Sequence, residues 1–272
     1  MRLYAISDLH LHHSENRSAL EALPPHPQDW LILAGDLGEK AVHLHYCLQI
    51  VTCRFARVFW IPGNHELWTV PNDPEGLTGE AKYQQLVQIC RNYGVLTPED
   101  PFVLWPDRSK SLLIAPLFNL YDYSFRPDHV PQDQAIEWAM QAGILCNDES
   151  LLHPDPYGSI AEWCHERLRF SEMRLEQALQ DHPEARFILI NHYPLRYEHV
   201  RLRRIPRFSL WCGTRATEQW HTRFPTEVVV YGHLHVRATD YRDGVRFEEV
   251  SLGYPRQWGG KRPLKEYLQL IL

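Results

Sequence analysis

Five short segments of this 272-residue sequence carry side chains of the metal-binding types, and each follows an apolar run. Asp8 and His10 follow residues 3–7, and Gly35-Asp36 follows 30–34. Gly63-Asn64-His65-Glu66 follows 57–61, Asn191-His192 follows 186–190, and Gly232-His233-Leu234-His235 follows 227–231. Histidine is the commonest transition-metal ligand, and the chain holds 16. In extended backbone residues i and i+2 face one side, so Asp8 and His10 are expected to share one cation. His233 and His235 do likewise unless their loop aims them at two ions. The glycines at 35, 63 and 232 are expected to allow unusual dihedrals just before the ligands. Carboxylate, amide and imidazole donors together suit Mn, Fe or Zn better than Ca²⁺ or an all-thiolate zinc site. A lone histidine after a strand is ordinarily a packing or surface residue. His12, His13, His43, His45 and His165 are read that way, and Glu66 as an orienting residue. Chance is a poor explanation for compatible donors at five strand ends together.

The elements that must position these residues alternate. Residues 3–7, 30–34, 57–61, 111–117, 186–191 and 227–232 read as strands, several buried on both faces. Helices are expected at about 40–54, 79–92, 132–143 and 157–180. Asp243-Gly244 marks a hairpin within 241–247, and the apolar run 267–272 suits an edge strand. This order predicts an α/β fold with a largely parallel central sheet and antiparallel additions. Ligands of such sheets bind beyond the carboxyl ends of the strands. One domain, 1–272, accounts for the length. Residues 121–182 interrupt the rhythm as a mostly helical insertion, either covering a sheet face or capping the site.

Composition removes other classes. The 44% hydrophobic and 23% charged shares are those of a soluble globular protein. No apolar run reaches the ~20 residues of a membrane span, and residues 2–7 read as a strand, so that no leader is expected. Six cysteines without a C-x-x-C pair read as reduced, mostly buried thiols of a cytoplasmic protein. The formal charge of −6 argues against a stable nucleic-acid partner.

The ordered series Asp8-Leu9-His10, Gly35-Asp36, Gly63-Asn64-His65-Glu66, Asn191-His192 and Gly232-His233-Leu234-His235 resembles the calcineurin-like metallophosphoesterases. The resemblance implies a four-layer αββα sandwich with two metals, Mn and Fe favoured. It implies that Asp8, His10 and His235 hold one ion, that Asn64, His192 and His233 hold the other, and that Asp36 bridges them. His65 stands beside the metals as the catalytic residue, stabilising the transition state or protonating the leaving oxygen. Glu39, three residues after Asp36 where many relatives have Asp, is not expected to be a ligand. Such a site hydrolyses a phosphate ester with a metal-activated hydroxide.

The segments 62–68, 151–157, 211–214 and 245–255 resemble the bacterial phosphopantetheinyl hydrolases, which remove 4′-phosphopantetheine from acyl carrier proteins. Arg196, Arg201, Arg203, Arg204 and Arg207, in a loop after His192, are then candidates to dock an acidic carrier; a solvated charged loop is the plainer reading. Trp68, Tyr193 and Trp211 are candidates to line a slot for the pantetheine arm. The alternatives are a nucleotide or phosphoprotein phosphodiesterase or phosphatase of the same family, and a scaffold without turnover.

Overall fold

The computed structural model describes all residues except 72, 74, 75, 108–110, 260 and 261. Its strands form two sheets instead of the single central sheet that alternation predicts. In the first, β1 (Leu3–Ile6), β2 (His26–Leu33) and β3 (Phe55–Trp60) run parallel, and β10 (Gln269–Leu270) pairs antiparallel with β1. The second has the order β4-β5-β6-β7-β9-β8. Its centre, β5 (Leu112–Pro116), β6 (Arg186–Ile190), β7 (Thr226–Tyr231) and β9 (Val245–Glu249), is parallel. Its edges, β4 (Val103–Leu104) and β8 (Ala238–Arg242), are antiparallel.

Side-chain alternation explains both the architecture and why the sequence hides it. Trp30 and Ile32 of β2 meet Ile188, Ile190, Val228 and Val230 in a core between the sheets. Leu31 and Leu33 point the other way, into a core shared with α2 (Ala41–Val51) and α4 (Gly79–Asn92). Phe187, Leu189 and Val229 share that outer core with α7 (Ile160–Asp181). The central strands β2, β5, β6 and β7 are apolar on both faces, as parallel strands between layers are expected to be, whereas β9 carries Arg246 and Glu248 on one face. The result is the four-layer sandwich.

Helix boundaries follow local chemistry. α4 starts and ends as expected. α7 begins three residues late because the Ser159 side chain caps it, accepting from the Glu162 amide at 3.1 Å. The predicted 132–143 helix is a 3₁₀ turn, Gln132–Gln134, followed by α5 (Ala135–Met140). α1 (Ser14–Glu21) was not expected, since within it only Asn16 and Leu20 are buried and its face lacks apolar periodicity. The 241–247 hairpin turns on Asp243 and Gly244 with φ of 52° and 78°, the pair of positive values a type I′ turn requires. Two further short helices, α3 (Asn64–Leu67) and α6 (Asp148–Leu151), lie at the functional end of the molecule. No helix among the described residues is long and apolar enough to cross a membrane, and five of the six free thiols are buried.

Candidate metal centre

The loops after β1, β2, β6 and β7 are laced together by backbone hydrogen bonds. The Asp8 amide donates to Gly35 O at 2.9 Å, His10 N to Asp36 O at 3.0 Å, and Gly232 N to His192 O at 2.9 Å. Asp8, His10, Asp36, His233 and His235 nevertheless lie beyond the strands, with φ of 55°, 40°, 55°, 71° and 52°. They are five of only seven non-glycine residues with positive φ among the described residues. The expectation of extended backbone at Asp8 and His10 is therefore corrected: left-handed turns aim these side chains. Such conformations cost about 1–3 kcal/mol each and persist where surrounding structure enforces them.

The glycines serve differently from expectation too. Gly35 does have φ of 90°. Gly63 is extended at φ −96°, and its role is close approach: a Cβ there would lie 2.1 Å from Asp36 Oδ1. A Cβ at Gly232 would lie 2.5 Å from Asp8 Oδ2. Both positions exclude a side chain: Asp36 fills the space at Gly63, and Ser7 Oγ, 2.2 Å from such a Cβ, fills it together with Asp8 at Gly232.

Asp8, Asp36, Asn64, His192 and His235 share one design: one polar atom is tied down and the other is presented, whereas His10 Nδ1 is buried without a hydrogen-bond partner. Asp8 Oδ2 accepts from Ser7 Oγ (2.6 Å), Ser251 Oγ (2.7 Å) and the His233 amide (3.1 Å). Its Oδ1 meets His235 Nε2 at 2.9 Å and His10 Nε2 at 3.9 Å, and the two imidazole nitrogens are 3.1 Å apart. Asp36 Oδ1 accepts from the His65 amide at 3.0 Å, leaving Oδ2 3.4 Å from His192 Nε2 and 3.8 Å from His65 Nε2. His192 Nδ1 is held by Ala34 O at 2.8 Å and His235 Nδ1 by Gln257 Oε1 at 2.9 Å. Asn64 Nδ2 donates to Asp148 Oδ1 at 2.9 Å. Asn64 Oδ1, His192 Nε2 and His233 Nε2 are left buried without a hydrogen-bond partner.

Buried acceptors without donors are costly, and donors around one cation at about 2.1 Å stand about 3.0–3.4 Å apart. Asp8, His10 and His235 form one group near this geometry, two of its separations being 2.9 and 3.1 Å and the third, from Asp8 to His10, wider at 3.9 Å. Asp36, His192 and His233 form a second whose ligand atoms lie within 4.8 Å of one another. The donor set fits divalent transition metals. Electrostatics point the same way. Burial opposes charge on His192, yet Asp36 lifts its pKa to about 10; burial and the neighbouring His192 push His233 down to about 3. The two buried carboxylates demand positive charge that a cation would supply, releasing the His192 proton.

Around this centre lies a cavity of about 800 Å³ with Asp36, Asn64, His65, His233 and His235 among its lining residues. Leu145, Ile205 and Val236, all exposed, also line it, as do Arg203 and Arg204. Of the five arginines singled out in the sequence, Arg201 also lines the cavity but is paired to Asp240 at 2.8 Å. Arg196 and Arg207 do not line it. Arg196 pairs with Glu198 at 2.9 Å, and Arg207 stacks on Trp138 at 4.7 Å. Trp68 lines the cavity and stacks on His65 at 3.7 Å between centroids. Tyr193 and Trp211 are core residues outside its lining.

Glu66 orients loops, its carboxylate accepting from the amides of Asp36, Leu37 and Gly63 at 2.7–2.9 Å. Sequence reasoning set Glu39 aside only as a ligand; its Oε1 lies 3.6 Å from His65 Nδ1 and 3.7 Å from His12 Nδ1. It missed Ser7, Ser251, Gln257 and Asp148. No sequence signal marks the last two, which reach the centre only through tertiary contacts.

The sequence pattern of the family described as calcineurin-like phosphoesterase matches residues 1–237. An acyl-carrier-protein phosphodiesterase of Mycobacterium tuberculosis, PptH, is 45% identical over 271 residues, 99% of this chain and 83% of that protein. The crystal structure of phosphopantetheinyl hydrolase (PptH) from the same organism superposes with a TM-score of 0.94. The identity is 44%, over 100% of this chain and 95% of that one. With the ordered Asp/His centre in place, these matches show that the chain belongs to the calcineurin-like phosphoesterase family of metal-dependent hydrolases.

Proposed function

We propose that this protein is a dinuclear-metal phosphodiesterase that releases 4′-phosphopantetheine from holo-acyl carrier protein. The observation that carries the substrate is 45% identity over 99% of the chain, insertion included, to a protein named for that carrier. Asp8, His10 and His235 would hold one ion, Asn64, His192 and His233 the other, with Asp36 between them; Mn and Fe suit the donors. Bound there, the ions supply Lewis-acid polarisation of the phosphate and acidify a water.

The chain's own residues do the rest. Asp8 and Asp36 offset the cation charge. His65, 3.8 Å from Asp36 Oδ2 and stacked on Trp68, faces the cavity from beside the ligands. A protonated Nε2 there donates to the phosphate or to the departing serine oxygen. Against the opposing effect of burial, Asp36 and then Glu39, 3.6 Å from Nδ1, favour the protonated form of His65. At the mouth, Arg203 and Arg204 attract an acidic carrier, while Leu145, Ile205 and Val236 offer apolar contact for it and its arm.

Intact mass of a holo-acyl carrier protein incubated with the enzyme and Mn²⁺ tests the reading. Conversion to the apo mass is expected. An unchanged carrier, with a nucleotide or generic diester still cleaved, would reject the carrier and keep the hydrolase.

A further inference from the structure

Asp148 is a buried carboxylate from the 121–182 insertion, 84 and 80 residues away in sequence from Asn64 and Trp68, which it meets. Its Oδ1 accepts both Asn64 Nδ2 at 2.9 Å and Trp68 Nε1 at 2.6 Å. Its Oδ2 has no hydrogen-bond partner. The contact is reinforced on both sides: Thr69 N donates to Leu151 O at 2.8 Å, and Trp68 bridges to Leu152.

A side-chain amide can present either its oxygen or its nitrogen, and the two ends nearly match in shape. Only the oxygen can bind a cation. An ionised carboxylate has acceptors alone, so Asp148 Oδ1 admits the Nδ2 end of Asn64 and repels Oδ1. We infer that Asp148 is a positioning residue that fixes the flip of Asn64, directing Oδ1 toward His192 and His233. The insertion thereby helps build the ion site, with Trp68 Nε1 holding the carboxylate in place. Ligand-orienting partners of this kind are worth about 10–100-fold in metal affinity.

The inference rests on the two-ion function proposed for this centre, and calorimetric titration of the metal-free protein with Mn²⁺ alone separates the two. Wild type is expected to take up two ions; fewer would remove both that function and this inference. In Asp148→Ala one ion should bind about 10–100-fold more weakly while the other is unchanged. Asp148→Asn should stay within about threefold of wild type, because one amide oxygen can accept from both Asn64 and Trp68. Unchanged affinities in Asp148→Ala, or equal losses in the alanine and asparagine variants, would overturn the assignment. If the alanine variant does not fold, Trp68→Phe is the deciding variant. Freeing the carboxylate should weaken that same ion alone, and two ions bound as in wild type would overturn the inference.

Discussion

At the scale of single residues, the centre anchors one atom of Asp8, Asp36, Asn64, His192 and His235 and presents the other. Asp36 is the most exposed to test, since its Oδ2 faces both His192 and His65. Asp36→Asn removes an anion from between the two proposed ion positions. Bound metal should fall at both positions and turnover by at least about a hundredfold; full turnover in that variant would defeat the bridging role. Glu66→Gln places an amide N–H₂ against three backbone N–H groups that need acceptors. A loss of about 1–3 kcal/mol in urea unfolding is expected. Gly63→Ala should cost about as much through its clash with Asp36, and should also lower metal affinity. The candidate ligands were legible because residue type and position after a strand suffice to suggest them. Their left-handed backbone was not, since Asp and His are read as extended there by default. Gln257 and Asp148 were invisible because neither belongs to one of the five ligand-bearing segments.

Elements set what reaches the centre. Parallel strands buried on both faces read as unbroken apolar runs, so the pattern supplied strand positions but could not divide them between two sheets. The 241–247 hairpin was readable from its Asp-Gly turn, whereas α1 has too little buried apolar surface to announce itself. The loop after His192 illustrates the limit of composition. Five arginines look alike in sequence, yet Arg196 and Arg207 hold the loop to its own scaffold while Arg203 and Arg204 stand at the cavity. Replacing Arg203 and Arg204 with Glu should therefore lower kcat/KM on a carrier protein by about ten- to a hundredfold, mainly through encounter. A small chromogenic diester should be cleaved as before. Equal loss on both substrates would mean that the arginines serve the chemistry or the fold instead.

The whole molecule concentrates negative charge behind the candidate metal centre. Behind Asp8, Ser251 joins its carboxylate to that of Glu249. Burial, then the charge of Asp8, raise the Glu249 pKa from 4.5 to about 7. Between those values the folded state binds the extra proton, so metal-free protein should lose stability as pH rises from about 4.5 to 7. The loss should reach about 3 kcal/mol and persist above that range. Glu249→Gln should flatten this slope in chelator-treated protein; an unchanged slope would place the titration elsewhere. Bound cations, by compensating Asp8, should weaken the same dependence.

The assignment of seven side chains to two ions underlies the chemistry, the role of Asp148 and the effect of each substitution. Anomalous scattering from crystals grown with Mn²⁺ tests it directly. Two peaks are expected, one at about 2.0–2.3 Å from Asp8 Oδ1, His10 Nε2 and His235 Nε2. The other should contact Asn64 Oδ1, His192 Nε2 and His233 Nε2, with Asp36 Oδ2 reaching both. A single peak, or a second ion held by other residues, would contradict it.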